Sequence, residues 1–77
     1  MAISELPLSS GKKIAEVLTC FGWRIRRKGP HIILTKEGHL LHLSIPNHRQ
    51  VDRRLLHDEL KKAGIADREF KVTFDKK

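Results

Sequence analysis

The segment WRIRRKGPHIILTKEGHLLHLSI, residues 23–45, decides the fold because apolar and polar residues alternate along much of it. Alternation with a period of two is typical of a strand that buries one face. Gly29-Pro30 and Glu37-Gly38 are turn-forming pairs that divide the segment into three runs. The sequence therefore predicts three consecutive strands that form an antiparallel sheet through short connections.

The pairing of the second and third predicted strands determines which side chains share a face. If a two-residue loop joins these strands, Leu34 pairs with Leu41 and Ile32 pairs with Leu43. One face is then aliphatic and consists of Ile32, Leu34, Leu41, Leu43 and Ile45. A shift by one residue would move every side chain to the opposite face, so the assignment depends on this register. We expect the aliphatic face to pack against the helices.

The opposite face of the predicted sheet is basic. It is expected to present Arg24, Arg26, Lys28, His31 and His42. In this register His31 lies opposite Ser44 and diagonal to His42, and long side chains at diagonal positions can meet. His31 is therefore predicted on the uncovered side of the sheet rather than in the core.

Two segments with apolar residues at helical spacing flank the sheet. The first, residues 9–22, can begin at Ser9 or Ser10 as its N-cap. The second, residues 53–64, follows Asp52 as a cap and ends in a glycine. Two helices on one face of a three-stranded antiparallel sheet give an α+β domain with the order α-β-β-β-α.

The chain is short enough for a single domain, residues 1–77, with an ordered core of about residues 9–70. Residues 1–8 are expected to form a loose lead-in. In the tail, residues 66–74, three apolar residues alternate with polar ones. This pattern fits either a short edge strand or a segment that becomes ordered only against a partner.

The charge of the chain is its strongest compositional feature. Lysine and arginine total 16 against 9 aspartate and glutamate residues, which gives a net charge of +7. A small basic domain points first to a polyanion such as nucleic acid, and solubility alone is the simpler explanation.

Cys20 is the only cysteine, and no apolar run is long enough to span a membrane. A cytoplasmic protein is the expectation.

The sequence lacks the usual patterns of metal and cofactor sites. One cysteine excludes the common zinc-finger spacings. His39 and His42 are three residues apart on a predicted strand, which places them on opposite faces. No P-loop, dinucleotide-binding glycine pattern or serine-nucleophile motif is present. We therefore expect neither a metal nor a cofactor.

RNA cleavage without a metal requires fewer groups, because RNA supplies its own 2′-hydroxyl nucleophile. Histidine, with an unperturbed pKa of about 6.5, can take up or donate a proton near neutrality. Arginine and lysine can stabilise charge on the phosphate. His31 on a basic strand face is therefore a candidate catalyst, although a phosphate contact or a plain surface histidine explains the same pattern.

Further residues are candidates for RNA contacts. His42 fits a second proton-transfer group, an RNA contact or a solvated strand residue. His48 lies in a Pro-Asn-His loop and can contact phosphate or cap a helix, and Arg53 opens the second helix. His39 and His57 fit structural or solvent-facing positions. The predicted RNA-binding set is Arg24, Arg26, Lys28, Gly29, His42, His48 and Arg53.

From about Ser10 to Phe70 the chain resembles the HicA-type (YcfA-like) mRNA interferase toxins of toxin–antitoxin pairs. The matching pieces are SGKKIAEVLTCFGW, RKGPHIIL and LSIPNHRQVDRRLLHDELKKAGIADREF. Members of this family typically have a helix that ends in glycine plus an aromatic or apolar residue, and a Gly-Ser-His at the second strand. A Pro-x-His follows the third strand, and an Ala-Gly-Ile-like turn follows the closing helix.

The resemblance implies a double-stranded-RNA-binding-domain-like fold, metal-independent cleavage of mRNA and inhibition by a HicB-like antitoxin. It also implies that His31 is catalytic, with Gly29 as the motif glycine and His48 as the histidine of Pro-x-His. Pro30 departs from the family pattern, because it replaces a serine whose hydroxyl could bind phosphate or tune the imidazole. A non-catalytic RNA-binding module and a basic protein-docking domain are the alternatives on the same fold.

Overall fold

The structure, a computed structural model, describes residues 5–76. Its elements are α1 (Gly11–Thr19), β1 (Arg24–Lys28), β2 (His31–Thr35), β3 (Leu43–Pro46), α2 (Arg53–Ala63) and α3 (Asp67–Lys76). The strands form an antiparallel sheet in the order β1-β2-β3. The α+β class and the double-stranded-RNA-binding-domain-like order α-β-β-β-α are confirmed, with a third helix added at the end.

The two predicted helices begin at their expected caps. The Ser10 hydroxyl accepts a hydrogen bond from the backbone N–H of Lys13 at the start of α1. Asp52 accepts bonds from the N–H groups of Arg54 and Leu55 at the start of α2. Each cap satisfies N–H groups that the first helical turn leaves without an internal partner.

The predicted register between β2 and β3 is wrong by two residues. Leu34 pairs with Leu43 and Ile32 pairs with Ile45, while residues 36–42 form a longer connection. Because the shift is even, the aliphatic residues keep the face that the sequence predicts. Leu41 is the exception, since it lies in the connection with 55% of its surface exposed instead of in the core.

A β-bulge in β1 changes which basic side chains face outward. Ile25 pairs with Leu34, but the next paired residue is Arg27, opposite Ile33, so Arg26 is the extra residue. Paired residues project from the same face, and Arg27 therefore joins the open face, the side of the sheet that the helices leave uncovered. The prediction that Lys28 lies on this face is wrong.

Beyond the bulge, Lys28 pairs with Ile32, whose side chain is buried toward the helices. The side chain of Lys28 is directed to that side of the sheet edge, where it is exposed to solvent. A period-two reading of RIRRK cannot anticipate this change, because the bulge shifts the alternation by one residue.

The tail forms α3 and not the strand or partner-dependent segment that the sequence suggests. Phe70 is fully buried, and its ring centroid lies 6.0 Å from that of Phe74, one helical turn later. The ammonium of Lys13 in α1 lies 5.2 Å from the centroid of the Phe74 ring. Phe70 and Phe74 are four residues apart, so a helix places both on one face.

The core includes a residue of the predicted lead-in. Leu6 is 1% exposed, and its carbonyl accepts a hydrogen bond of 2.7 Å from Nε of Arg53. Trp23 is also buried, at 2% exposure. Its ring is nearly perpendicular to that of His39, with 5.0 Å between the ring centroids.

Candidate nucleic-acid interface

His31 lies at the first position of β2, where the chain leaves the Gly29–Pro30 turn. Its partner in β3 is Pro46, whereas the sequence predicts Ser44. The imidazole is exposed and lines a pocket of about 210 Å³ on the open face. The pocket lining consists of Arg27, Gly29, Pro30, His31 and Ile33, and we call it the His31 pocket.

Arg27 is the cationic neighbour of His31 in this pocket, and the sequence-based set omits it. It reaches the pocket because the β-bulge places it opposite Ile33, two residues along β2 from His31. A guanidinium there can form charge-assisted hydrogen bonds to phosphate oxygens. The available signal was the run of three consecutive cationic residues before Gly29, which a bulge can redistribute between faces.

Asn47 holds the turn that carries His31. Its backbone N–H donates to the carbonyl oxygen of Pro30 at 3.0 Å. Its side-chain Nδ2 donates to the carbonyl oxygen of Gly29 at 3.1 Å. These two bonds tie the loop after β3 to the turn before β2, and the predicted site lacks Asn47 although it contains the adjacent His48.

The loop after β3 is also fixed to the start of α1. The N–H of Gly11 donates to the carbonyl oxygen of His48 at 3.0 Å, and the N–H of Val51 donates to the carbonyl oxygen of Ser9 at 2.8 Å. Gly11 is buried against this loop so closely that a Cβ atom there would lie 2.0 Å from the carbonyl oxygen of Pro46. His48 itself is exposed, two residues beyond the strand partner of His31.

The structure does not bring His42 to His31. His42 precedes Leu43 and is therefore level with Thr35, at the opposite end of β2. Four residues of strand separate Thr35 from His31, a distance of about 13 Å. The diagonal arrangement of His31 and His42 that the sequence predicts is wrong, because it depended on the shorter loop.

Arg24 and Arg26 lie at that same far end of the sheet. With Gly22, Thr35, Lys36 and Glu37 they line a second pocket of about 390 Å³, which we call the distal pocket. Lys28 lies outside both pockets, and Nε of Arg53 donates a hydrogen bond to the carbonyl oxygen of Leu6. The predicted RNA-binding residues are therefore spread over the sheet and its edges, and their RNA contacts remain predictions.

The two remaining histidines have structural contacts. Nε2 of His39 donates to the carbonyl oxygen of Lys62 at 3.0 Å. Nδ1 of His57 lies 2.8 Å from Oδ2 of the buried Asp67, which joins α2 to α3. In the described part of the chain, no group of three or more His, Cys, Asp or Glu side chains is arranged to hold a metal ion.

The fold and the surface define a class of protein: a small double-stranded-RNA-binding-domain-like domain with an exposed histidine and arginines on the open face of its sheet. The model of a family described as HicA toxin of bacterial toxin-antitoxin matches residues 11–65. Since this match covers most of the chain, the protein belongs to the HicA toxin family. Neither a curated protein nor a solved structure matches it.

Between residues 5 and 76, none of the helices combines the length and the apolar character needed to cross a membrane.

Proposed function

We propose that this protein is a toxin that cleaves mRNA as a metal-independent endoribonuclease, with His31 as its catalytic residue. The observation that supports this most strongly is the His31 pocket, where an exposed imidazole and the guanidinium of Arg27 line the same concave surface. One side chain can transfer a proton, and the other can neutralise a phosphate. Together they supply two of the functions that cleavage by the 2′-hydroxyl requires.

In the proposed reaction, the 2′-hydroxyl oxygen attacks the adjacent phosphorus while its proton is removed. The bond from phosphorus to the 5′-oxygen breaks, and that oxygen receives a proton. The products are a 2′,3′-cyclic phosphate and a 5′-hydroxyl. His31 performs one of the two proton transfers, and Arg27 donates hydrogen bonds to the non-bridging oxygens as their negative charge develops.

Gly29 supports an RNA-binding role for the turn. A Cβ atom at Gly29 would meet nothing within 4 Å, and its φ lies outside the left-handed region. The fold therefore has no local need for glycine here. A residue without a side chain does allow a ligand to approach the backbone closely, beside the imidazole that the chain presents two residues later.

The family also implies a HicB-like antitoxin as the protein partner. A partner that neutralises the toxin has to block access to the His31 pocket or displace its side chains. The surface around the pocket is basic, and the whole chain carries a net charge of +7. We therefore propose that the antitoxin presents acidic side chains to the open face of the sheet.

The experiment that tests the function compares wild-type protein, His31→Ala and Arg27→Gln on a long RNA in excess EDTA. Arg68→Gln, an exposed change on α3, is the matched charge control. We expect cleavage to cyclic-phosphate ends by the wild type and Arg68→Gln, severe loss in His31→Ala, and a roughly tenfold to hundredfold loss in Arg27→Gln. Circular dichroism confirms that all four proteins are folded.

Three results would contradict the proposal, and the last two of them favour the alternatives. Equal cleavage by His31→Ala would exclude the catalytic role of this histidine. If the wild type binds RNA without cleaving it, the protein is a non-catalytic RNA-binding module. If it neither binds nor cleaves RNA, the basic surface is a protein-docking surface.

A further inference from the structure

We propose that the distal pocket binds a backbone phosphate of the RNA strand, two nucleotide steps from the phosphate that is attacked at His31. The position of the attacked phosphate rests on the proposed function, whereas phosphate binding in the distal pocket does not. The pocket would give the enzyme a second, non-reacting contact that fixes the strand along the sheet.

The charges of the distal pocket favour an anion. Arg24 and Arg26 from β1 and Lys36, which follows the last residue of β2, contribute three cationic side chains, and Glu37 contributes one carboxylate. Within residues 5–76, none of these four side chains forms an ion pair or a hydrogen bond. Because Glu37 forms no ion pair with the three cations, the N–H donors of these cations are available to a phosphate.

The shape of the pocket also suits a phosphodiester. Arg24 pairs with Thr35 across the two strands, and both residues line the pocket, so it offers a hydroxyl as well as guanidinium donors. The space of about 390 Å³ is larger than the His31 pocket, and it is a surface cleft and not an enclosed cavity. A chain that continues in both directions can therefore enter and leave it, which a closed cavity would prevent.

The spacing along β2 of His31 and Thr35, which line one pocket each, sets the number of nucleotides. His31, Ile33 and Thr35 project from the same face of β2, and about 13 Å separates the first from the last. Two residues of a polypeptide and one nucleotide of RNA each contain about six backbone bonds. When both chains are extended, two residues therefore span about the same distance as one nucleotide. Four residues of β2 therefore correspond to about two nucleotide steps.

Ile33 lies between His31 and Thr35 on β2 and supports a continuous path from one pocket to the other. Its side chain is half-buried, lines the His31 pocket and stands opposite Arg27. An apolar surface at this point can pack against the sugar or base of the intervening nucleotide, while the phosphates lie near the arginines on either side. Such contacts do not select a particular base, because every base has an apolar face.

A double-mutant cycle between the protein and the RNA backbone tests the proposal. Each oligonucleotide has one free 2′-hydroxyl, 2′-O-methyl groups elsewhere, and a neutral methylphosphonate one, two or three steps from the cleavable bond on either side. We measure kcat/KM with wild-type protein, Arg24→Gln and the control Arg68→Gln. For the wild type, the methylphosphonate two steps away on one side should lower kcat/KM about tenfold.

In Arg24→Gln, that same methylphosphonate should have little further effect, because the guanidinium that the replaced phosphate would have contacted is already absent. Lys36→Gln should show the same coupling, and Arg68→Gln should behave as the wild type does. If the effects of Arg24→Gln and the methylphosphonate multiply independently at every position, the distal pocket does not bind a phosphate of this strand. Coupling at one or three steps would overturn the proposed spacing.

Binding of fully 2′-O-methylated oligonucleotides, measured by fluorescence anisotropy, separates this proposal from the proposed function. Coupling in binding without any cleavage of RNA would support the distal pocket and reject the ribonuclease. Cleavage of RNA without coupling would support the ribonuclease and reject the distal pocket as a phosphate site. If inorganic phosphate binds the wild type but not Arg24→Gln, and RNA shows no coupling, the pocket takes a free anion and the RNA subsite is rejected.

Discussion

Gly11→Ala should disturb the support of the His31 pocket from a position outside the pocket itself. The added Cβ would lie 2.0 Å from the carbonyl oxygen of Pro46 and 3.3 Å from Cα of Asn47. Both are backbone atoms, so neither can rotate away. The start of α1 and the loop after β3 have to separate, which also strains the bond from the Gly11 N–H to the carbonyl oxygen of His48.

One stabilising and two destabilising contributions determine the change in the free energy of unfolding. Alanine is favoured over glycine in a helix by up to about 1 kcal/mol. Forcing a methyl group into a packed contact costs about 1–3 kcal/mol. Losing the bond between the Gly11 N–H and the His48 carbonyl costs about 1 kcal/mol. The free energy of unfolding should therefore fall by about 1–3 kcal/mol, which leaves a domain of this size folded.

Urea unfolding followed by the fluorescence of Trp23 measures this change, because Trp23 is the only tryptophan and is buried. Gly29→Ala is the matched control, since a Cβ there meets nothing within 4 Å and its stability should change by less than about 0.5 kcal/mol. If Gly11→Ala is as stable as the wild type, the contact between α1 and the loop after β3 is not as tight as described.

Three further results are expected. Asn47→Asp removes the donor to the Gly29 carbonyl and should lower kcat on RNA by about threefold to tenfold with the fold intact, and an unchanged kcat would exclude a positioning role. Phe70→Ala should cost about 3–5 kcal/mol in urea unfolding, and a cost below about 1 kcal/mol would contradict a packed α3. Arg27→Gln should reduce the slope of log affinity for single-stranded RNA against log salt by about 0.7, whereas an identical slope would exclude a phosphate contact.

The first two helices, their caps and the division of the sheet into two faces could be predicted from the sequence, whereas α3 was not. Ser10 and Asp52 are cap residues followed by apolar residues at helical spacing, and such local patterns determine where helices begin. The aliphatic face of β2 was also predictable, because Ile32 and Leu34 keep their orientation under any even shift of the register.

The register and the bulge were not predictable, for the same physical reason. A shift by two residues preserves the hydrophobic pattern, so pairing Leu34 with Leu41 or with Leu43 looks equally favourable along the sequence. The position of the bulge depends on how β1 meets β2, and no glycine marks it. Both features determine the neighbours of His31, which explains why Arg27 was missed and His42 was wrongly placed beside it.

The segment that identifies the family is shorter than the segment that packs the core. The match covers residues 11–65, while Leu6 lies before it and Phe70 after it, and both side chains are buried. A fragment cut to the matched residues would retain Arg27, His31 and the rest of both pockets, but we expect it to unfold readily. Expression boundaries for this toxin should therefore follow its buried residues and include α3, even though every residue of the two pockets lies within the matched segment.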